Sequence, residues 1–223
     1  MLRRHSKWFA VVGLAVLVCM TPAAYAVPVP LSTLIPGGTK TCGDKLFSDF
    51  SYSRTGDMPL SSGVNVDCIT VAGNLGLEFQ GGFGDAPGGG TSDALIKYTV
   101  TVTDPRFVIT DAHIQGNAKV LHGTGIMSVV DTFTPDAPNI MSIFDIVPGS
   151  TTNVDSTIFA TGHTTLHVQK DIFGFATGET SFATLSFIDQ TYSQTTTVPE
   201  PSTVVLLGIG LLGMVGYGWQ RRR

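Results

Sequence analysis

The sequence predicts an all-β fold, a single β-sandwich or jelly-roll-like domain between two apolar terminal segments. No window between residues 27 and 198 keeps a helical period, while Thr, Val, Ser, Gly and Phe are frequent there. Short stretches of alternating polarity recur between turn-forming residues, as in sandwiches. Twelve of the thirteen Phe residues lie in this segment, where we expect them to fill the space between two sheets.

The N-terminal segment, residues 1–26, has the three parts of a secretory signal peptide. Three basic residues precede a short apolar run, which is too brief for a comfortable transmembrane helix. The sequence Ala24-Tyr25-Ala26 then puts small residues before Val27, as a signal peptidase requires. We therefore expect export by the secretion machinery and a mature chain that begins at Val27.

The domain is assigned to residues 27–190. Its clearest strand is Ala94–Asp104, in which every second residue is Ile, Tyr or Val and the alternate face carries Lys97 and three Thr residues. The other predicted strands are Leu46–Tyr52, Val64–Val71, Leu75–Gln80, Arg106–Gln115, Ala118–His122, Ile126–Phe133, Ile140–Val147, Ser156–Thr161, Thr164–Ile172 and Ser181–Asp189.

Two stretches are predicted to lack strands. The segment Gly81–Asp93 contains six glycines and reads as a long flexible loop. Residues 191–198 are polar and rich in Thr, and we interpret them as a linker between the domain and the C-terminal segment.

Cys42 and Cys68 are the two cysteines of the mature chain, because Cys19 leaves with the signal peptide. In an oxidising compartment, we expect them to form a disulfide. It would close a loop of about 25 residues and contribute roughly 3 kcal/mol. Two cysteines without a matching histidine pair would make a poor zinc site.

The charge of the mature domain limits its partners. Residues 27–198 carry seven basic and sixteen acidic side chains, a formal charge of −9. We therefore expect neither nucleic acid nor an anionic membrane surface as a partner.

Catalytic and metal motifs give little support for an enzyme. His163 and His167 would lie on one strand face about 13 Å apart, too far to share an ion. No nucleophile elbow occurs. We expect no catalytic residue, no metal and no cofactor, with one alternative: a structural calcium ion bridging loop carboxylates such as Asp85, Asp93 or Asp136.

Carbohydrate binding depends on aromatic platforms, and both Trp residues lie in the terminal segments. Phe83, in the glycine-rich loop, is the predicted ligand contact. Tyr52 and Tyr192 are the alternatives, whereas Tyr98 is expected in the core.

The C-terminal segment, residues 199–223, combines three features in a fixed order. Pro199-Glu200-Pro201 comes first, then the uncharged run 203–219, and Arg221-Arg222-Arg223 ends the chain. The seventeen uncharged residues would span roughly 25 Å as a transmembrane helix. The arginines would keep the end of that helix in the cytoplasm, so the domain would lie outside.

This arrangement resembles the PEP-CTERM sorting signal of Gram-negative bacteria. The resemblance implies that an exosortase recognises Pro199-Glu200-Pro201 and cleaves near Val198–Pro201, which releases the domain from its inner-membrane anchor. It also implies a species that makes exopolysaccharide, and a final location at the cell surface or in the extracellular matrix.

The domain itself also resembles a group of bacterial PEP-CTERM ectodomains. The resemblance is carried by Cys42–Phe47, Phe50–Tyr52, Val102–Pro105 and Ser186–Gln194. It implies one exported β domain without an assigned activity. Our first hypothesis is a non-catalytic surface or matrix protein with a structural or interaction role. The alternatives are a carbohydrate-binding module of the matrix and a secreted hydrolase with dispersed active-site residues.

Overall fold

Two antiparallel β-sheets face each other across a hydrophobic core in the computed structural model, which describes residues 27–197 and residue 220. The strands are β1 Val29–Pro30, β2 Lys40–Cys42, β3 Lys45–Thr55, β4 Asn65–Val71, β5 Asn74–Asp85, β6 Ser92–Val102, β7 Phe107–Gly116, β8 Lys119–Leu121, β9 Thr124–Phe133, β10 Ala137–Val147, β11 Thr151–Thr152, β12 Val154–His163, β13 Thr165–Thr177 and β14 Phe182–Thr196. Two short 3-10 turns, Leu31–Thr33 and Ser61–Gly63, complete the described elements.

The order of the strands defines the two faces of the sandwich. The first sheet runs β1-β4-β5-β14-β7-β12, and β8 also pairs with β14. The second sheet runs β11-β10-β9-β13-β6-β3-β2. The all-β prediction is confirmed, with two antiparallel sheets. The longest strand, β14, lies near the middle of the first sheet and carries residues of both sites described below.

Alternation along the strands builds the core, as the sequence predicts. In β6, Ile96, Tyr98 and Val100 are buried, while Lys97 between them is exposed. Because successive side chains of a strand point to opposite faces, this pattern puts one row of apolar residues against the other sheet. All eleven predicted strands are present, and the ones that the sequence did not reveal are the two- or three-residue strands β1, β2 and β11.

The predicted loop Gly81–Asp93 is mostly strand, which corrects that expectation. β5 continues to Asp85 and β6 begins at Ser92, so only residues 86–91 connect them. The glycines allow close strand contact here: a Cβ on Gly84 would lie 2.4 Å from the carbonyl oxygen of Ala183 on β14. Gly84 therefore serves packing between strands rather than flexibility.

The predicted linker 191–198 is also a strand over most of its length. β14 runs to Thr196, where it pairs with Phe107 of β7. Tyr192 within it is 1% exposed. The Thr residues that make the segment look like a polar linker are β-branched, and a strand suits them equally well.

Several terminal predictions lie outside the described residues. These are the signal peptide with its cleavage site after Ala24 and Ala26, and the helix 203–219. Within the described part of the chain, no helix has the length and apolar character needed to cross a membrane.

The disulfide joins the two sheets at one end of the sandwich. Cys42 lies on β2 of the second sheet and Cys68 on β4 of the first, and they are bonded with a Cα–Cα distance of 5.5 Å. Their separation of 26 residues matches the loop expected from the sequence. The bond thus ties the edge strand β2 to the opposite sheet.

Replacing both cysteines, Cys42→Ser with Cys68→Ser, is expected to lower the free energy of unfolding by about 3 kcal/mol, because the unfolded chain loses its cross-link. Urea unfolding followed by fluorescence measures this difference. A reducing agent should destabilise the natural protein to the same extent and leave the double variant unchanged. Equal unfolding midpoints for the oxidised natural protein and the double variant would contradict the prediction.

Candidate functional site on the outer face of the first sheet

A row of polar side chains crosses the outer face of the first sheet. Asp67 on β4 is the register partner of Glu78 on β5, which pairs with Asp189 on β14, which pairs in turn with Gln115 on β7. They face outward because the residues beside them in each strand point into the core. The fold thus assembles, from four separate strands, a row that holds three carboxylates.

Glu78 and Asp189 are neighbouring acids in this row, and neither forms a salt bridge with another described residue. Residues directly opposite in antiparallel strands have Cβ atoms about 4.5–5.5 Å apart. Gln115 Nε2 donates a hydrogen bond of 3.1 Å to Asp189 Oδ2, and Gln80 Nε2 donates one of 2.6 Å to Glu78 Oε1. The other oxygen of Asp189, Oδ1, is buried and has no hydrogen-bond partner among the described residues.

The environment of Asp189 favours its protonated form. Burial is the largest effect and raises the pKa of the carboxyl group to about 6, and the negative charge of Glu78 acts in the same direction. The hydrogen bond from Gln115 opposes them only in part. Asp189 can therefore carry a proton in mildly acidic solution while an ordinary aspartate is ionised.

A shallow depression of about 170 Å³ lies over Asp189. Its walls are formed by the turn after β4 and by residues of β7, β12 and β14, including Ala72, His113, Val154 and Thr191. Ala72 and Gly73 form a two-residue hairpin turn in which both residues have positive φ, 51° and 87°. This tight turn brings β4 back into β5 at the edge of the depression.

Asp111, His113 and Ser193 lie near the row and resemble a catalytic triad in composition. Their geometry differs from one, because His113 Nε2 contacts both Asp111 Oδ1, at 2.8 Å, and Ser193 Oγ, at 3.1 Å. A triad needs the acid on one ring nitrogen and the nucleophile on the other. The group therefore acts as a hydrogen-bond cluster between β7 and β14.

Phe83, the predicted ligand contact, is buried, which corrects its expected place in an exposed loop, although it is among the residues that line an open groove. Its side chain is 1% exposed and belongs to the core. Phe83 lies within β5, where the strand turns it inward, and a Cβ on Gly81 would already touch its ring. Tyr192 is buried as well, whereas Phe182 is 41% exposed and lines an open groove of about 350 Å³ with Asn117 and Ser186.

The aspartates considered for calcium have separate partners. Asp85 is buried and accepts hydrogen bonds from Ser92 Oγ, at 2.7 Å, and from the Ala176 amide, at 2.8 Å. Asp136 contacts His167. Burial raises the pKa of Asp171, and the charge of Asp93 acts in the same direction. In the described residues, no group of three His, Cys, Asp or Glu side chains is placed to hold one metal ion.

His163 and His167 lie on different strands, which corrects their expected placement on one. His163 ends β12 and contacts the edge of the Phe159 ring, with 5.4 Å between ring centroids. His167 is on β13, where Nδ1 lies 2.9 Å from Asp136 Oδ2.

The pairing of Glu78 with Asp189 could not be found from the sequence. The two residues are far apart in the chain, and only the register of β5 against β14 brings them together. Asp189 and Gln115 each end a predicted strand, but no local pattern indicates which strands become neighbours.

Comparison with known proteins identifies the C-terminal segment. Residues 197–223 match the PEP-CTERM protein-sorting motif, a range that includes Pro199-Glu200-Pro201 and Arg221-Arg222-Arg223. The comparison with curated proteins found no match.

One solved structure has a limited likeness to the sandwich, the enzymatically active domain of tailspike protein 4 of bacteriophage CBA120. The identity is 16%, the match covers 66% of this chain and 20% of the tailspike chain, and the TM-score is 0.28. This likeness is too low to bear on function. The chain carries a PEP-CTERM sorting motif after an all-β domain, and the motif implies export, a membrane anchor before processing, and an exosortase as the processing partner.

Proposed function

We propose that this protein is an exported, exosortase-processed protein of the cell surface or extracellular matrix, with a non-catalytic structural role in association with exopolysaccharide. The observation that supports it is the direct succession of domain and sorting motif. β14 ends at Thr196, and the match to the motif begins at residue 197. The domain that would be delivered is thus complete up to the motif.

The contacts of Thr197 support release without unfolding. Its amide donates a hydrogen bond of 2.7 Å to the carbonyl oxygen of Arg106, and its hydroxyl donates one of 3.1 Å to the same oxygen. Every strand pairing among the described residues precedes residue 197 in the chain. A cut near Val198–Pro201 would therefore leave both sheets intact.

The distribution of charge suits a hydrated, exposed domain. Of the seven basic residues, Lys40, Lys45 and Lys170 are 9%, 1% and 0% exposed. Asp85, Asp131 and Asp145 are buried as well, so the buried charges cancel and the surface keeps the formal charge of −9 of residues 27–198. An acidic surface keeps a protein soluble among polysaccharides and disfavours association with nucleic acid.

Replacing Glu200 by Ala in the full chain is expected to block processing, because the carboxylate between the two prolines is lost from the recognised tripeptide. In a host with an exosortase, mass spectrometry of the natural protein should find a species that ends near Val198–Pro201. The Glu200→Ala protein should keep Arg223 and remain in the membrane fraction.

Glu179→Ala serves as the matched control, because Glu179 lies in the turn before β14 and outside the motif. Its processing should equal that of the natural protein. Recovery of only full-length natural protein from such a host, or normal processing of Glu200→Ala, would contradict the proposal.

A carbohydrate-binding module is the alternative interaction role. The observation that favours it is Phe182, whose exposed ring lines the open groove together with Asn117. Aromatic faces stack on sugars, and amide groups hydrogen-bond to hydroxyls. Asn117 already hydrogen-bonds to Ser186, however. Its side-chain amide nitrogen donates to Ser186 Oγ at 2.7 Å, and its side-chain oxygen accepts from the Ser186 backbone amide at 2.9 Å. The groove therefore offers one aromatic platform and few free polar partners.

A secreted glycoside hydrolase is the second alternative, and the Glu78–Asp189 pair favours it. Retaining glycosidases hold two carboxyl groups about 5–5.5 Å apart, one as acid and one as nucleophile. Opposite positions on adjacent strands are compatible with that spacing. Asp189, with its pKa of about 6, would be the acid, and Glu78 would be the nucleophile.

If this alternative holds, Asp189→Asn should lower polysaccharide turnover at least about 100-fold, because the proton donor is lost. Turnover by the natural protein should fall as the pH rises above about 6, where Asp189 loses its proton. The release of reducing ends from a panel of bacterial polysaccharides measures both effects.

Asp67→Asn is the matched control for this experiment, because Asp67 lies in the same row but contacts Lys40, at 3.7 Å. It should leave turnover unchanged. Turnover that survives Asp189→Asn would exclude Glu78 and Asp189 as the active site. If the natural protein turns over no polysaccharide, the non-catalytic proposal stands.

A further inference from the structure

Three polar side chains occupy the centre of the sandwich, apart from the outer row. Lys170 on β13, Asp131 on β9 and Gln190 on β14 are each 0% exposed. Lys170 and Asp131 are register partners in the second sheet, and Gln190 reaches them from the first sheet. Lys170 and Asp131 form the one fully buried ion pair among the described residues.

Their positions in the strands show that burial is built into the sequence. Lys170 lies between the inward residues Val168 and Ile172, and Asp131 lies between Val129 and Phe133. Inward positions of a strand face the core and are normally apolar. A lysine and an aspartate thus stand opposite each other inside the core, where neither can reach water.

The nitrogen of Lys170 is centred on the carboxyl group of Asp131. It lies 2.6 Å from Oδ1 and 2.6 Å from Oδ2. Because the carboxyl carbon is bonded to both oxygens, this symmetry places it no farther than about 3 Å from the nitrogen, so the remaining step towards attack is a movement of the nitrogen above the plane of the carboxyl group.

Burial moves both groups towards their uncharged, reactive forms. Desolvation is the largest effect on each: it raises the pKa of Asp131 and lowers the pKa of Lys170, while the attraction between the two charges opposes both shifts. A neutral amine is a nucleophile, and a protonated carboxyl group is a better electrophile than a carboxylate.

The groups around the pair hold it in this arrangement. Gln190 Oε1 accepts a hydrogen bond of 3.0 Å from Lys170 Nζ, which fixes the direction of one N–H bond. The Nε2 of the same amide is buried without a hydrogen-bond partner among the described residues. Burial is the main cause that raises the pKa of Tyr98 and of Tyr192, which hydrogen-bond to each other, and the charge of Asp131 acts in the same direction.

We propose that Lys170 and Asp131 condense into an intramolecular isopeptide bond after the domain folds. A proton first moves from the ammonium group to the carboxylate, which gives an amine and a carboxylic acid. The lone pair of Nζ then attacks Cγ and forms the C–N bond. One carboxyl oxygen leaves as water with two of the three nitrogen protons, and the C–O bond to it breaks. The other oxygen remains as the amide carbonyl, so no oxidant or co-reactant is required.

The bond would join the two central strands β9 and β13 of the second sheet. Gln190 acts as a positioning residue in this reaction. Together with the disulfide at the edge, the sandwich would then hold two covalent cross-links, of which reduction can open only one. Such a cross-link suits a domain that must remain folded outside the cell.

Trypsin digestion of the denatured, reduced full chain, recovered from the cells that express and export it, tests the proposal. Trypsin cuts after lysine only when the side chain is free, and residues 120–170 contain no Lys or Arg before Lys170. We expect one peptide that begins at Val120, continues past Lys170, and is lighter by one water molecule. A separate peptide Val120–Lys170 of unmodified mass would overturn the proposal.

Asp131→Ala supplies the second measurement, since it removes the carboxyl group but leaves the trypsin site. Cleavage after Lys170 should be restored completely and no water should be missing, and a persistent loss of water would overturn the assignment to Asp131. Lys45 is the matched control within the same digest. It is 1% exposed and contacts Asp44 at 3.1 Å, but that carboxyl group is partly exposed and the contact is one-sided, so trypsin should cut there.

Discussion

The pair formed by Lys170 and Asp131 is the constraint on which the rest of the sandwich depends. Before the proposed bond forms, two charged side chains without exposure to water are stable only when each satisfies the other, and losing one partner of such a pair costs about 3–5 kcal/mol. The pair fixes the register of β9 against β13, and Gln190 extends it to the opposite sheet. The large aromatic residues around it, including Tyr98 and Tyr192, exclude the water that would otherwise solvate the charges.

Strand β14 connects this buried cluster to the outer face. Asp189 points outward into the row with Glu78, and its neighbour Gln190 points inward to Lys170. A slip of β14 by one residue would exchange the two environments and would bury Asp189 in the core. The inner pair and the outer row therefore depend on the same register, and the sorting motif follows the end of that strand.

Much of the fold follows from local pattern. Alternation predicts β6 and β13 correctly, because one face of each is buried. The glycines near Gly84 and the Thr residues after Gln190 instead predict a loop and a linker, where the structure has strands. These residues have a role only against a neighbouring strand. Lys170 could have been noticed, since it breaks the apolar alternation of β13 at an inward position. Its partner Asp131 and the pairing of Glu78 with Asp189 depend on register over long sequence separations, which no local pattern contains.

The most direct test of this account is a crystal structure of the exported protein at a resolution that separates bonded from non-bonded atoms. We expect continuous electron density between Lys170 Nζ and Asp131 Cγ, at the amide C–N distance of about 1.33 Å, with a planar amide group and Gln190 beside it. Density for a separate ammonium group and carboxylate, at the distance of an ordinary ion pair, would contradict the proposed isopeptide bond.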